Sequence, residues 1–183
     1  LENVSVSEVD LRSHIQFYDG ITTSDIHETI IKSAADLISE NAPDYQHLSA
    51  RLAIFHLRKK AFDRFTPPTL FEHVNKMVRS GLYDKQIIED YSKSEIDELD
   101  NYLDHGRDLN FSYAAVKQLE GKYLVQNRVT GKIYESPQFI YMLIPMCLFA
   151  HYPAETRVQY VKEFYDAASL FKLSLPTPIM SGV

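Results

Sequence analysis

The sequence predicts a mostly α fold: a helical N-terminal region that carries one short β-hairpin. Three observations predict it. Apolar residues recur at three- and four-residue spacing through most of the chain. The 6 glycines and 8 prolines sit largely where helices should start or stop. Only around Thr130-Gly131 do short β-prone runs flank turn chemistry, Tyr123-Leu124-Val125-Gln126 before it and Lys132-Ile133-Tyr134 after it.

The elements follow in order. From Val6 to Phe17 the residues Val6, Val9, Leu11 and Ile15 lie loosely at helical spacing, and Tyr18-Asp19-Gly20 turns the chain. Thr22-Thr23-Ser24-Asp25 offers N-caps with an acidic first turn, and Ile26, Ile30, Ala34, Leu37 and Ile38 form the stripe behind it. Asn41-Ala42-Pro43 opens a helix with Pro in its first turn, and Tyr45, Leu48, Leu52 and Phe55 recur along it to Phe62. Thr66-Pro67-Pro68 caps the next, with Leu70, Val74, Met77 and Val78 inward and Gly81 as its stop. Shorter helices are expected over 85–91, 95–103 and 111–119, and two long ones over 137–151 and 153–170. The end, Leu173-Ser174-Leu175-Pro176-Thr177-Pro178, is expected to stay extended because two prolines interrupt it.

Composition excludes several classes of function. Nineteen Lys+Arg against 25 Asp+Glu give a net charge of −6, which argues against binding nucleic acid through the net field. The single cysteine, Cys147, forbids an internal disulfide, a Cys-cluster metal site and dithiol redox chemistry within the chain, and its apolar setting predicts an inert core thiol. Nothing at the start of this sequence resembles a signal peptide, and the longest apolar run, Phe139 to Ala150, falls short of the ~20 residues that span a bilayer. A buried helix and no membrane partner are expected. The chain begins at Leu1 rather than Met and stops at Gly182-Val183, so a piece of a larger protein is expected.

Three clusters carry possible chemistry. Thr23 and His27 lie i,i+4 at a helix start, while His56 and Lys59 lie i,i+3 on the following helix beside Arg58 and Lys60. A capping hydroxyl, two imidazoles and a lysine around a helix N-terminus suit phosphates, although an ordinary N-cap and a solvated basic face explain the same spacing. Thr177, between two prolines with Gly182 nearby, suits close approach by a ligand, although a linker explains it too. Glu135-Ser136-Pro137-Gln138 reads as an N-cap followed by Pro at the first helical position. Asp104-His105 with Asp108 is a weak hint of a metal or acid/base site, and a polar helix end explains it as well. The remaining histidines show no two-ligand helical spacing, and there is no Gly-rich phosphate loop or nucleophile elbow.

Taken together, these residues resemble a known family. Asp19-Gly20-Ile21-Thr22-Thr23-Ser24-Asp25-Ile26-His27 and Leu52-Ala53-Ile54-Phe55-His56-Leu57-Arg58-Lys59 resemble the later helices of an ATP-cone domain. Phe111-Ser112-Tyr113, Asn127-Arg128-Val129 and Glu135-Ser136-Pro137-Gln138 are similar to the helical N-terminal region of a ribonucleotide reductase large subunit. Leu175-Pro176-Thr177-Pro178-Ile179-Met180-Ser181-Gly182 resembles the lead-in to that family's catalytic barrel. The likeness runs the whole length and is closest to the aerobic class Ia bacterial type.

The resemblance implies an oxidoreductase that reduces ribonucleoside diphosphates by thiyl-radical chemistry, with ATP activating and dATP inhibiting. It implies three parts: residues 1–64 as the later part of an ATP cone, 65–172 as the helical domain and 173–183 as the lead-in to the barrel. It implies effector contacts at Thr23, His27, Phe55, His56 and Lys59, and a substrate-diphosphate hydrogen bond from Thr177. No catalytic residue, metal ligand or cofactor is expected in this stretch, because the active-site cysteines and radical-relay tyrosines should follow Val183. The cone's first β-hairpin should precede Leu1. The implied partners are a small β subunit carrying a di-iron tyrosyl radical and a second large subunit, in the cytoplasm, with no nucleic acid. On this reading the chain alone is inactive. The competing reading is a non-catalytic helical module that only regulates or docks. A DNA-binding cone regulator is disfavoured, since its zinc ribbon needs more than one cysteine.

Overall fold

The computed structural model describes residues 1–181. Ten α-helices and one two-stranded antiparallel ribbon make up its regular elements. Three helices form the N-terminal layer: α1 (Val6–His14), α2 (Thr23–Ala35) and α3 (Tyr45–Phe62). Then come α4 (Leu70–Arg79), α5 (Gln86–Asp90), α6 (Lys93–Tyr102) and a 3-10 turn, His105–Asn110. The chain continues through α7 (Tyr113–Gln118), a π-helical turn (Leu119–Tyr123), β1 (Gln126–Asn127) and β2 (Lys132–Ile133). It ends with α8 (Pro137–Leu148), α9 (Ala154–Ser169) and α10 (Thr177–Ser181). The hairpin pairs Gln126 with Ile133 and Asn127 with Lys132, and Gly131 takes the positive φ of 71° that its turn requires.

Apolar burial arranges these elements around three clusters. In one, Leu70 and Val74 of α4, Ile96 and Leu99 of α6, Phe139 and Met142 of α8 and Val161 and Tyr165 of α9 meet. In another, Ile54 and Leu57 of α3, Val116 of α7, Ile133 of β2, Ile144 of α8 and Met180 of α10 meet. A small third cluster holds Val9, Ala34, Leu37 and Tyr45. Helix α8 therefore serves two cores, which is why it is apolar nearly all round.

A chain of buried polar groups crosses from one core to the other. Arg58 Nη2 donates to Asp108 Oδ2 at 2.8 Å, and Gln138 Nε2 donates to Asp108 Oδ1 at 2.9 Å. The Tyr165 hydroxyl donates to Gln138 Oε1 at 2.8 Å. This chain ties α3, the 3-10 turn, α8 and α9 together and supplies the hydrogen bonds that buried polar groups need.

The structure corrects several sequence expectations. Of the four apolar residues expected inward in the first helix only Val9 is buried, while Val6, Leu11 and Ile15 face solvent at 76%, 67% and 77% exposure, so the loose spacing there marks no core face. Pro43 precedes α3 instead of entering it, and the cap of α4 is Thr69 rather than Thr66. Thr69 forms a capping box with Glu72, so Thr69→Ala should cost about 1 kcal/mol in a urea melt. In α3 Tyr45 of the expected stripe is buried and Leu48 and Leu52 are partly buried, but the buried apolar set also takes in Ala50, Ala53, Ile54, Leu57 and Ala61, and Phe55 projects outward. Tyr123 ends the π turn and does not join the strand. Cys147 is exposed at the last turn of α8 rather than in the core, because α8 turns its Cys147-Leu148 side away from both clusters. The end stays outside regular helix only as far as Pro176: Thr177 and Pro178 enter α10, where Pro178 sits in the first turn and its missing N–H costs nothing.

Candidate functional site

The first candidate site lies between α2 and α3. Thr22 caps α2: its hydroxyl accepts the Asp25 N–H at 3.1 Å and donates to Asp25 Oδ2 at 2.7 Å. The helix end is thus already held by its own carboxylate, and Thr23 stands exposed beside it. One turn on, the His27 ring meets His56 edge-on, with centroids 5.5 Å apart. The two belong to a mainly apolar cavity of about 440 Å³, whose other walls are Ile30, Leu52, Phe55 and Phe65. Phe55 and Phe65 meet edge-to-face across 6.0 Å.

His56 is the unusual member. It is 7% exposed, and neither ring nitrogen has a hydrogen-bond partner. Its Nε2 lies 3.5 Å from Glu28 Oε1, a charge contact without hydrogen-bond geometry. Burial, helped by nearby Lys60, holds its pKa below the usual imidazole value despite Glu28. Beyond it a smaller polar cleft of about 160 Å³ opens among Glu28, Lys32, Lys60, Lys117 and Glu120. Lys60 stands between Glu28 at 3.5 Å and Glu120 at 4.0 Å.

Lys59 turns away from this cavity. Its Nζ donates to the Asp63 carbonyl at 2.7 Å, where α3 ends in a left-handed residue with φ 56°. Of the five sequence candidates, then, His27, Phe55 and His56 share one cavity, while Thr23 and Lys59 lie outside its lining. Phe65 went unread because a lone aromatic in a loop leaves no periodic signal.

The second candidate site is at the other end of the chain. Thr177 is exposed at the start of α10, with Oγ1 3.0 Å from the Tyr123 hydroxyl. Met180, buried, anchors α10 on the core. A cavity of about 370 Å³ adjoins, with Phe111, Leu119, Tyr123, Tyr141 and Phe171 among its walls. Gly182, the nearby glycine of the sequence reading, lies outside the described residues.

The remaining candidates are structural. Asp108 serves Arg58, and the Asp104 carboxylate accepts the Gly106 N–H at 2.8 Å. Among the described residues no group of three or more His, Cys, Asp or Glu side chains converges as metal ligands. Ser136 holds the N-cap position of α8 with Pro137 at the first position, although its hydroxyl makes no capping hydrogen bond, and Glu135 and Gln138 beside it are fully buried.

The chain matches known proteins along its whole length. It is 71% identical to ribonucleoside-diphosphate reductase 1 subunit alpha of Escherichia coli K12 over all 183 residues, which are 24% of that protein. The subunit alpha of Haemophilus influenzae is 68% identical over 183 residues, and that of phage T4 is 42% identical over 99% of this chain; in both, this is again 24% of the relative. The family described as "Ribonucleotide reductase, all-alpha domain" matches residues 109–183. The chain belongs to the ribonucleotide reductase large-subunit family. It spans about a quarter of the length of the curated relatives it matches.

The all-alpha domain of the reductase family takes in the Tyr123–Thr177 pair, the hairpin, α8 and α9. The α2–α3 cavity lies ahead of it, in the part that only the longer reductase alignments cover.

Proposed function

We propose that this chain is part of a ribonucleoside-diphosphate reductase large subunit, which makes 2′-deoxyribonucleoside diphosphates by thiyl-radical chemistry. Residues 1–64 are the later part of its ATP cone, 65–172 its helical domain and 173–183 the lead-in to its barrel. Its substrate is a ribonucleoside diphosphate held in part by Thr177, and its effectors are ATP and dATP. Its partners are a second large subunit and the small subunit with its di-iron tyrosyl radical. The described residues offer no ligand cluster for such a metal pair, which this reading places in the small subunit.

The observation that carries the regulatory half is His56, a nearly buried imidazole with neither nitrogen hydrogen-bonded, at the edge of an apolar cavity. Leaving two polar atoms dry and unpaired is costly unless something pairs with them at times. Phe55, Phe65, Ile30 and Leu52 supply apolar walls that suit a nucleobase, and His27 and His56 supply polar edges that can select it. Lys60 follows on the same helix beside His56, between Glu28 and Glu120, and Lys59 would have to leave the Asp63 carbonyl to meet a phosphate tail. The walls are one-sided, however, and an open half-site buries too little apolar area to offset the ordering of a nucleotide.

Calorimetry with ATP and dATP tests this. The 183-residue chain should bind both weakly, discriminate poorly and lose binding in salt. A longer chain that includes the preceding hairpin should bind tightly and selectively, and His27→Ala should then remove most of the affinity. Tight, selective dATP binding by the 183-residue chain would show that the hairpin is not part of the site. No binding by either chain would remove the cavity from the effector reading.

A further inference from the structure

We propose that Tyr123 is a positioning residue for the substrate diphosphate, acting through Thr177. The proposal rests on the reading of Thr177 as a diphosphate contact. A threonine hydroxyl has one proton and two acceptor lone pairs, and left alone it rotates freely. The Tyr123 hydroxyl lies 3.0 Å from Thr177 Oγ1. When Tyr123 donates into one lone pair of Oγ1, the Thr177 proton is directed outward, where an acceptor-only phosphoryl oxygen can take it. The bound anion therefore meets a donor that is already aimed, with less freedom left to lose.

The backbone is built to make this pairing. Helix α7 widens into the π turn Leu119–Tyr123, closed by the Leu124 N–H on the Leu119 carbonyl at 3.0 Å. A π turn inserts one residue into the helical register, so Tyr123 occupies an angular position that an unbroken α-helix would give to its neighbour. Such widened turns are otherwise rare, and this one is held on every side. Leu119 and Leu124 are buried at its two ends. The hairpin satisfies its loose carbonyls: Gln126 Nε2 donates to the Glu120 carbonyl at 2.8 Å, and Arg128 reaches the Gly121 and Lys122 carbonyls at 3.4 and 3.3 Å. On the other side, Met180 fixes α10 to the core, and Ser181 Oγ donates to the Thr177 carbonyl at 2.8 Å. Two separately anchored elements thus hold one hydroxyl pair, 54 residues apart in sequence, at an open face.

The test uses the full-length large subunit with its small subunit, and the variants Tyr123→Phe, Thr177→Val and the two combined. Steady-state kinetics and equilibrium binding of a ribonucleoside diphosphate are the readouts. Tyr123→Phe should raise KM about fivefold and Thr177→Val about tenfold, each with kcat and the unfolding midpoint little changed. The double variant should be no worse than Thr177→Val alone, because the phenol has nothing left to orient. A Tyr123→Phe enzyme with unchanged KM, while Thr177→Val is impaired, overturns the proposal and leaves the Thr177 reading standing. Additive effects in the double variant also overturn it, since Tyr123 would then act independently. An unchanged KM in Thr177→Val removes the diphosphate reading itself, and the proposal falls with it.

Discussion

Arg58→Met should destabilise the chain by about 3–5 kcal/mol, the largest effect expected of any single polar substitution here. The guanidinium is 8% exposed and its partner Asp108 is completely buried. Burial pushes the Asp108 carboxyl above the usual carboxylate range, and Arg58, followed by Gln138, works against that push. Without Arg58 only the Gln138 amide remains on the carboxylate. The His105 carbonyl, which also accepts from Arg58 Nη2, loses that donor as well. Equilibrium urea unfolding of the variant gives the value. Adding Asp108→Leu to Arg58→Met should recover much of the loss, since an apolar pair of similar volume needs no counter-charge. A single variant within 1 kcal/mol of wild type would mean that the buried pair carries little of the stability.

Glu135→Gln should gain stability relative to wild type as pH rises from 5 to 8. Glu135 is fully buried, and its Oε1 accepts the Val125 N–H at 2.7 Å while the Tyr83 hydroxyl donates to Oε2. His73 Nε2 lies 3.0 Å from that hydroxyl, and since the phenol proton goes to Glu135, an Nε2–H is the ring form that can donate there. Two donors do not make up for the lost water, so burial raises the Glu135 pKa from 4.5 to about 7. A folded pKa above the unfolded one means that the folded chain holds the proton more tightly. Its stabilising contribution is complete below about pH 4.5 and is lost as pH rises through about 7. The shift corresponds to stability on the order of 3 kcal/mol. Burial acts oppositely on the imidazoles, lowering His73 to about 3 and His105 to about 4, so their contribution is lost as pH falls below the usual histidine value. Wild type and variant share those histidines, so the difference between the two proteins isolates Glu135. Glutamine keeps an acceptor for Val125, and its advantage over wild type should grow from pH 5 to pH 8. A gap that does not change with pH would show that the carboxyl is not shifted.

How much of this was legible in the sequence depends on what each element packs against. Helix α4 has one core and one wet side, so Leu70, Val74 and Met77 stand out by spacing and all three are buried. Helix α3 packs on α2 at one side and on α7 and the 3-10 turn at another, so its buried set includes Ser49, Ala50 and Ala53, and no single stripe marks it. The apparent stripe of α1 misled for the opposite reason: a short helix at the edge buries little, whatever its spacing. At the candidate sites, His27 and His56 were readable because helical spacing brings them to facing sides. Tyr123 was not, because a π turn has no sequence signature and its partner is remote. Glu135 and Asp108 were hidden as well. A carboxylate in sequence looks solvated, and only the packing of distant segments reveals that it is dry.

The crowding of duties on α3 bears on insertions and deletions. Between positions 55 and 60, side chains wall the apolar cavity, pair with buried Asp108, close the helix end at Asp63 and bridge Glu28 to Glu120. One residue gained or lost within the helix would turn everything after it by about 100° and break all of these at once. The exposed hairpin turn at 127–131 carries no comparable set of fixed directions. A substitution along α3 therefore disturbs one contact at a time, whereas a change in its length disturbs them together.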